Sequence, residues 1–312
     1  MTQLEVPLLE DAGALSTRPP ANIWRDTLGN ILRQRSAQIG ISLLAILVLI
    51  AIVAPVIAPY EPNAQLYDLG GKRHTPSCIH LLGCPSDAPQ FVLGLDGNAR
   101  DLFSRLLFGA RISLVVGFAT IGVAILIGTV IGSMAGYAGG WLDNLLMRTM
   151  DVLLAFPALI LAIAIVTVLG SGLTNAVLAI AIVQIPIYAR VMRASVLSVR
   201  ERDFVVASRA LGESDTGILV RRILPNALTP LIVQGTLGIG TAVLETAALS
   251  FLGLGAQPPL AEWGSMIGLE RNAIFSQPFL IIAPGVALAF TVLGFNLLGD
   301  GLRDALDPRL NR

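Results

Sequence analysis

Few residue types that could do chemistry occur in this chain, and they are widely spaced. Glu245 is the one acidic residue set deep inside a long apolar run, since Asp151 and Asp300 fall at the ends of theirs. A carboxylate in hydrocarbon is costly and by default points to a hydrated cavity, a gate or an ion-coupling position. Glu245, with Ser250 nearby, is therefore expected to line a pathway or gate. The plainer alternative has the carboxylate satisfied by a helix end or by the hydroxyls of Thr246 and Ser250. Cys78 and Cys84, with five residues between them, could close a small disulfide ring on an oxidising face, or stand as two free thiols. His74 and His80 lie close by, but Cys-x5-Cys with interleaved His is not a standard zinc spacing, and no metal is expected. The sole lysine, Lys72, does not sit in a G-x-x-x-x-G-K-S/T loop, and neither H-E-x-x-H nor C-x-x-C occurs. No catalytic constellation and no cofactor are expected in this chain; if energy is used, another polypeptide supplies it.

The remaining concentration of chemistry is residues 200–225, RERDFVVASRALGESDTGILVRRILP, a charged, helix-forming island between two long apolar segments. The positions of Ala207-Ser208, Gly212 and Ile223-Leu224-Pro225 suit a helix, a turn and a second short helix. Such a compact knob would project from a bilayer, where something outside the membrane could push it.

The elements that must position these residues follow from composition. The chain of 312 residues is 54% hydrophobic and 13% charged, with mean hydropathy +0.74, against a charged fraction of about 25% in soluble domains. It is read as an all-α integral membrane protein whose length supplies six spans of about 20 residues each. Zero net charge implies no nucleic-acid partner. Residues 1–21 form a polar tail with no base before Arg18, unlike a secretory signal, so the first span is a retained anchor. Residues 22–38 alternate Ile23, Trp24, Leu28, Ile31 and Leu32 with Arg25, Arg33 and Arg35, which suits an amphipathic helix on the membrane surface. A six-helix membrane domain then covers 39–301, with spans expected at 39–58, 112–134, 151–169, 174–188, 226–252 and 278–298. A long polar loop covers 60–111, a connection 135–150, the island loop 195–225 and a Gly- and Pro-rich loop 253–277; from Gly299 the chain is a polar tail, its last part, 302–312, lying beyond the membrane domain. Gly128, Gly132 and Gly136 recur at the four-residue interval that lets helix backbones approach in lipid. Gly235, Gly238 and Gly240 could serve the same end or thin a helix beside a pathway.

Basic residues set the orientation. The two tails, the 135–150 connection and the 190–222 island hold 15 of the 21 Lys and Arg, and the opposite face holds six. Cytoplasmic loops retain such residues, so both termini and the island are expected in the cytoplasm.

These residues resemble a family. Asp203-Phe-Val-Val-Ala-Ser-Arg-Ala-Leu-Gly212, followed by Ile223-Leu-Pro-Asn226, looks like the cytoplasmic "EAA" loop of ABC importer permeases. Four more stretches agree with one branch: Ala54-Pro-Val-Ile-Ala-Pro-Tyr-Glu-Pro62, Arg100-Asp-Leu-Phe-Ser-Arg-Leu-Leu-Phe-Gly-Ala-Arg111, Leu249-Ser-Phe-Leu-Gly-Leu-Gly-Ala-Gln-Pro-Pro259 with Trp263-Gly264, and Leu302-Arg-Asp-Ala-Leu-Asp-Pro-Arg309. Together, over residues 22–312, they resemble the C-type permease subunit of dipeptide, oligopeptide and nickel importers. The pattern departs from the family at Val206, which stands for its glutamate, at Ser208, which stands for its second alanine, and at Leu95-Asp-Gly-Asn-Ala-Arg-Asp101 in the external motif.

The resemblance implies a type I ABC importer permease fold in a prokaryotic plasma (inner) membrane. It implies a heterodimer with a second permease, two ATPase subunits that bind ATP and Mg, and an external substrate-binding protein. The island then forms a coupling helix around residues 207–215, broken at Gly212 by a positive φ and restarted by Ser214 or Asp215 as cap. Asp203, Ala207, Ser208, Arg209, Leu211, Gly212, Ser214, Asp215 and Pro225 are the expected coupling positions. Peptides are the expected cargo, with nickel or another small solute as the alternative. A self-contained secondary transporter using Glu245 for ion coupling is the reading from a different class.

Overall fold

In a hydrocarbon layer the backbone has no water to bond, so an apolar run must satisfy its own amides by winding into helix. The computed structural model describes residues 34–306. Among them the regular structure is helical: α1 (Arg35–Ile57), α2 (Leu102–Ala138), α3 (Gly140–Leu154), α4 (Ala158–Leu169), α5 (Leu173–Arg200), α6 (Asp203–Ala210), α7 (Thr229–Phe251), α8 (Trp263–Glu270) and α9 (Phe279–Leu306), with short helical turns between some of them. Five of these helices are long and apolar enough to cross a membrane, and there are up to six such spans if the bent pair α3 and α4 counts as one. The sequence anticipates that number. Several boundaries differ from the expectation, for identifiable reasons.

The expected third span is not one rod. α3 and α4 meet at 92° across Ala155, Phe156 and Pro157. Proline offers no amide to the preceding turn and drives the residue before it out of the helical region. α4 alone, at 12 residues, rises about 18 Å, short of the roughly 30 Å hydrocarbon core. The expected 135–150 connection is largely helix. α2 ends and α3 begins at a glycine pair, Gly139 (φ +65°) and Gly140 (φ +57°), whose left-handed conformations glycine adopts without steric cost. The expected fourth span continues through Arg200, so the first third of the island is the shaft of α5. The second span starts ten residues early, at Leu102. Asp101 caps it, accepting from the Ser104 amide at 2.7 Å. The 253–277 loop contains α8, and the expected C-terminal tail is helical as far as Leu306. The amphipathic 22–38 segment lies outside the described residues except for its last five, most of which belong to α1.

α2 and α5 form the central pair. A side chain at Gly128 would collide with Tyr188, one at Gly132 with the Ala189 carbonyl, and one at Gly136 with the Arg193 carbonyl. Lipid gives two apolar helices no hydrophobic reason to associate, so close backbone approach must supply the packing. The glycine stripe allows that approach, and Tyr188, Met192 and Val196 are fully buried along it. α7 packs on α2, α5 and α9, and α1 lies against α9. Gly235, Gly238 and Gly240 face Ile125, Tyr188 and Phe295 respectively, so they serve helix packing and do not thin α7 beside an opening.

Candidate functional site

At one end of the bundle, the island folds into a knob. α5 carries the chain out to Arg200, whose Nη1 donates to the Gly136 carbonyl at 2.9 Å and so holds the end of α5 to the end of α2. α6 follows, four residues ahead of the expected coupling helix, with Asp203 in its first turn, where the helix dipole favours a carboxylate. Gly212 ends it at φ +81°, its amide donating to the Arg209 carbonyl at 3.1 Å. Ser208 and Ala207 contribute their carbonyls to the same turn, accepting from Glu213 at 3.2 Å and Leu211 at 3.0 Å. Ser214 caps the next helical stretch, its Oγ accepting from Gly217 at 3.3 Å. That stretch, Asp215–Gly217, Ile218–Ile223 and Leu224–Ala227, is π-wound in its middle part, and Pro225 lies exposed near its end.

Three fully buried side chains, Val205, Ile218 and Ile223, pin both arms of the knob to the bundle. Two polar ties set its angle: the Tyr137 hydroxyl of α2 donates to Asp215 at 2.6 Å, and Arg222 pairs with Glu213 at 3.1 Å. Among the charged residues of its outer surface stand three exposed apolar side chains, Leu211 at 87%, Val206 at 54% and Phe204. Asp203 and Ala207 are exposed as well, whereas Arg209, also exposed, reaches back to the Tyr137 hydroxyl of α2. Rigid backing under an exposed apolar crest suits docking into a groove on another protein.

Glu245 is half-buried on α7, and its partner is one the sequence did not suggest: Gln184 of α5 donates Nε2 to Glu245 Oε2 at 3.0 Å. The expected hydroxyls are engaged elsewhere. Thr246 donates to the Ala242 carbonyl at 2.8 Å, and Ser250 accepts from the Ala256 amide at 2.9 Å. Ser250 is thus a buried anchor for the loop that follows α7.

At the opposite end, Cys78 and Cys84 are joined in a disulfide. The loop that carries them folds onto α8 through Glu270, which accepts from the Gly97 amide at 2.8 Å and meets His74 Nε2 at 2.9 Å. Arg105, 1% exposed, donates to the carbonyls of Pro62 at 2.9 Å, Pro259 at 3.1 Å and Leu260 at 3.2 Å. Three of the stretches quoted for the resemblance therefore meet on one guanidinium. Trp263 adds a bond from Nε1 to the Leu106 carbonyl at 3.0 Å. Glu262 caps α8 through the amides of Gly264 and Ser265, and burial pushes its carboxyl above the ordinary range against those bonds.

Residues 128–312 match the family described as binding-protein-dependent transport system inner membrane component, and residues 22–76 match the N-terminal transmembrane domain of oligopeptide transport permease C. The chain belongs to this permease family. It is 45% identical over 289 residues to the dipeptide transport system permease protein DppC of Alkalihalophilus pseudofirmus, covering 92% of this chain and 90% of the relative. It is 41% identical over 305 residues to the glutathione transport system permease protein GsiD of Pectobacterium atrosepticum, covering 98% and 95%. The fold is that of the membrane chain in inward-facing structures of the MetNI methionine ABC transporter, with TM-score 0.56 at 21% identity over 66% of this chain and 98% of that one. The permease is thus a multi-pass inner-membrane component of the type I ABC importer fold.

Three working residues of the permease escaped the sequence reading. Gln184 is a neutral amide in an apolar run, Tyr137 looks like an ordinary interfacial aromatic, and Arg105 reads as one base of a polar loop. Each gains its role from a partner more than 40 residues away in the chain.

Proposed function

We propose that the chain is one of two permease subunits of an ATP-driven importer that passes small peptides inward. The knob carries this reading: a helix–glycine–helix element anchored by Val205, Ile218 and Ile223, tied to α2 through Tyr137, and presenting Leu211 and Val206 outward. Two ATPase subunits that bind ATP and Mg seat this knob, and their closure moves α5 and α7, which flank it in the chain. The knob end and both termini face the cytoplasm, where 15 of 21 bases lie. The disulfide end faces outward and receives the substrate-binding protein. Asp203, Ala207, Ser208, Arg209, Leu211 and Gly212 form or shape the docking crest; Ser214, Asp215 and Pro225 fix the second arm. Glu245 lines the path that this chain forms with its partner permease. Peptide cargo is supported by the relatives, named for dipeptide and glutathione transport.

Purification of the tagged chain from its own membranes in mild detergent, with mass spectrometry of every co-purifying polypeptide, tests the reading. Recovery of P-loop ATPases and a second apolar permease is the expected result; recovery of this chain alone, under conditions that preserve known complexes, would sink it.

A further inference from the structure

α3 is jointed at both ends. It begins at the left-handed glycine pair 139–140 and finishes at the Pro157 break, across which α4 turns by 92°. α4 packs on α5 with Ala162 and Val166 buried, whereas much of α3 stands off. A cavity of about 480 Å³ opens between α3 and α5, lined by Asp143, Met147, Arg148, Asp151, Arg190 and Arg193 together with a neighbouring amide. Two ion pairs cross that space. Arg193 grips Asp143 with both Nε and Nη2, at 2.5 and 2.6 Å, and Arg190 pairs with Asp151 at 2.5 Å. A two-toothed guanidinium–carboxylate contact fixes direction as well as distance.

The spacing of the teeth is unequal. Asp143 and Asp151 are about 12 Å apart along α3, while Arg190 and Arg193 are only about 4.5 Å apart along α5, at 1.5 Å per residue. α3 therefore crosses α5 obliquely, and both of its acids converge on one short stretch of α5. A slide or rotation of α5 then reaches α3 as a tilt about its two joints. α5 is also the helix whose end, at Arg200, leads directly into the knob.

We propose that Arg190 and Arg193 are positioning residues that transmit movement of the knob to α3, making it a lever clamped to α5 by charge. The proposal rests on the ATP-coupled reading above. It assigns a transmission role to side chains that touch neither the knob nor Glu245.

The test uses the intact complex in nanodiscs, with spin labels reporting two distances. Phe275→Cys, 98% exposed at the far end, is the fixed reference. It is paired with Val220→Cys on the knob, or with Trp141→Cys on α3. Both distances are expected to change on adding ATP and Mg. In Asp143→Arg and in Arg193→Asp, the knob should still move while the α3 distance stops responding. Coupling free energies between sites commonly correspond to 5–150-fold effects, and binding-protein-stimulated ATP hydrolysis in these variants should fall by about tenfold. The double variant, with the charges exchanged, should restore both readouts, which repair of mere folding by either single change would not. An α3 response in the single variants equal to that of the parent chain would overturn the lever while leaving the importer reading intact. A knob that ignores ATP in the parent chain would overturn both.

Discussion

Gly212 carries φ +81° with open space where a Cβ would stand, so the position excludes other residues by backbone conformation and not by crowding. A left-handed residue with a Cβ costs roughly 1–2 kcal/mol, more when β-branched, and the chain can escape that cost by re-aiming the crest formed by Leu211. Gly212→Val should leave the complex assembled and abolish transport-coupled ATP hydrolysis, whereas Gly212→Asn, whose side chain tolerates this conformation, should retain most of it. Normal stimulated hydrolysis in the valine variant would remove Gly212 from coupling. Glu245→Gln is the sharper probe of the path, because the substituted amide keeps an oxygen for Gln184 to donate to and loses only the charge. Transport rate should change while co-purification does not; an unchanged rate returns Glu245 to a packing role. For Glu262, burial raises the folded pKa, so the folded state holds its proton more tightly than the unfolded chain. Its contribution to stability is therefore fullest below the ordinary carboxylate pKa and declines as pH rises towards the folded value. A thermal-melting series against pH should show that decline in the parent chain, and Glu262→Gln should flatten it.

At the scale of elements, the Gly128, Gly132 and Gly136 stripe joins α2 to α5 more directly than any side-chain contact. A Cβ at residue 132 would fall on the Ala189 backbone, which cannot swing away as a flexible side chain would. Gly132→Val should cost about 1–3 kcal/mol by overpacking and reduce the yield of assembled complex, measured by detergent-solubilised melting and size exclusion; Gly122→Val, where a side chain meets open space, serves as the control and should be near neutral. The stripe's interval is legible in the sequence because helical periodicity places every fourth residue on one face. The partner helix is not legible, since many apolar runs could have accepted the stripe. The continuous span expected over 151–169 overlooks Pro157, and the 92° turn and the stand-off of α3 arise from where α5 sits, which no local residue encodes. The lengthening of α5 past its apolar run has the same origin: Arg190, Arg193 and Arg200 continue the helix because α3 and the end of α2 supply their partners.

Across the whole molecule, Arg105 is the point where the loop end closes. It binds carbonyls from the exit of α1 and from the loop between α7 and α8, and its Nε lies 3.6 Å from Asp96. Removing one partner from such a buried charged network costs about 3–5 kcal/mol, so Arg105→Ala should lower the melting temperature and loosen the disulfide-bearing loop, seen as faster limited proteolysis between α1 and α2. Arg105→Lys should recover little, because a single ammonium cannot reach the carbonyls that the forked guanidinium joins. Equal stability of the alanine variant would show that the loop end closes without it. The sequence by itself determined the membrane class, the number of spans, the knob with its glycine turn and the family, because hydropathy, helical period and turn chemistry act over neighbouring residues. Only the tertiary structure decided that Gln184 holds Glu245, that Ser250 is a loop anchor, that Arg105 gathers three distant stretches, and that α3 bridges a cavity to α5 through paired charges. Those facts depend on which helices become neighbours, and that choice is made by packing among elements far apart in the chain.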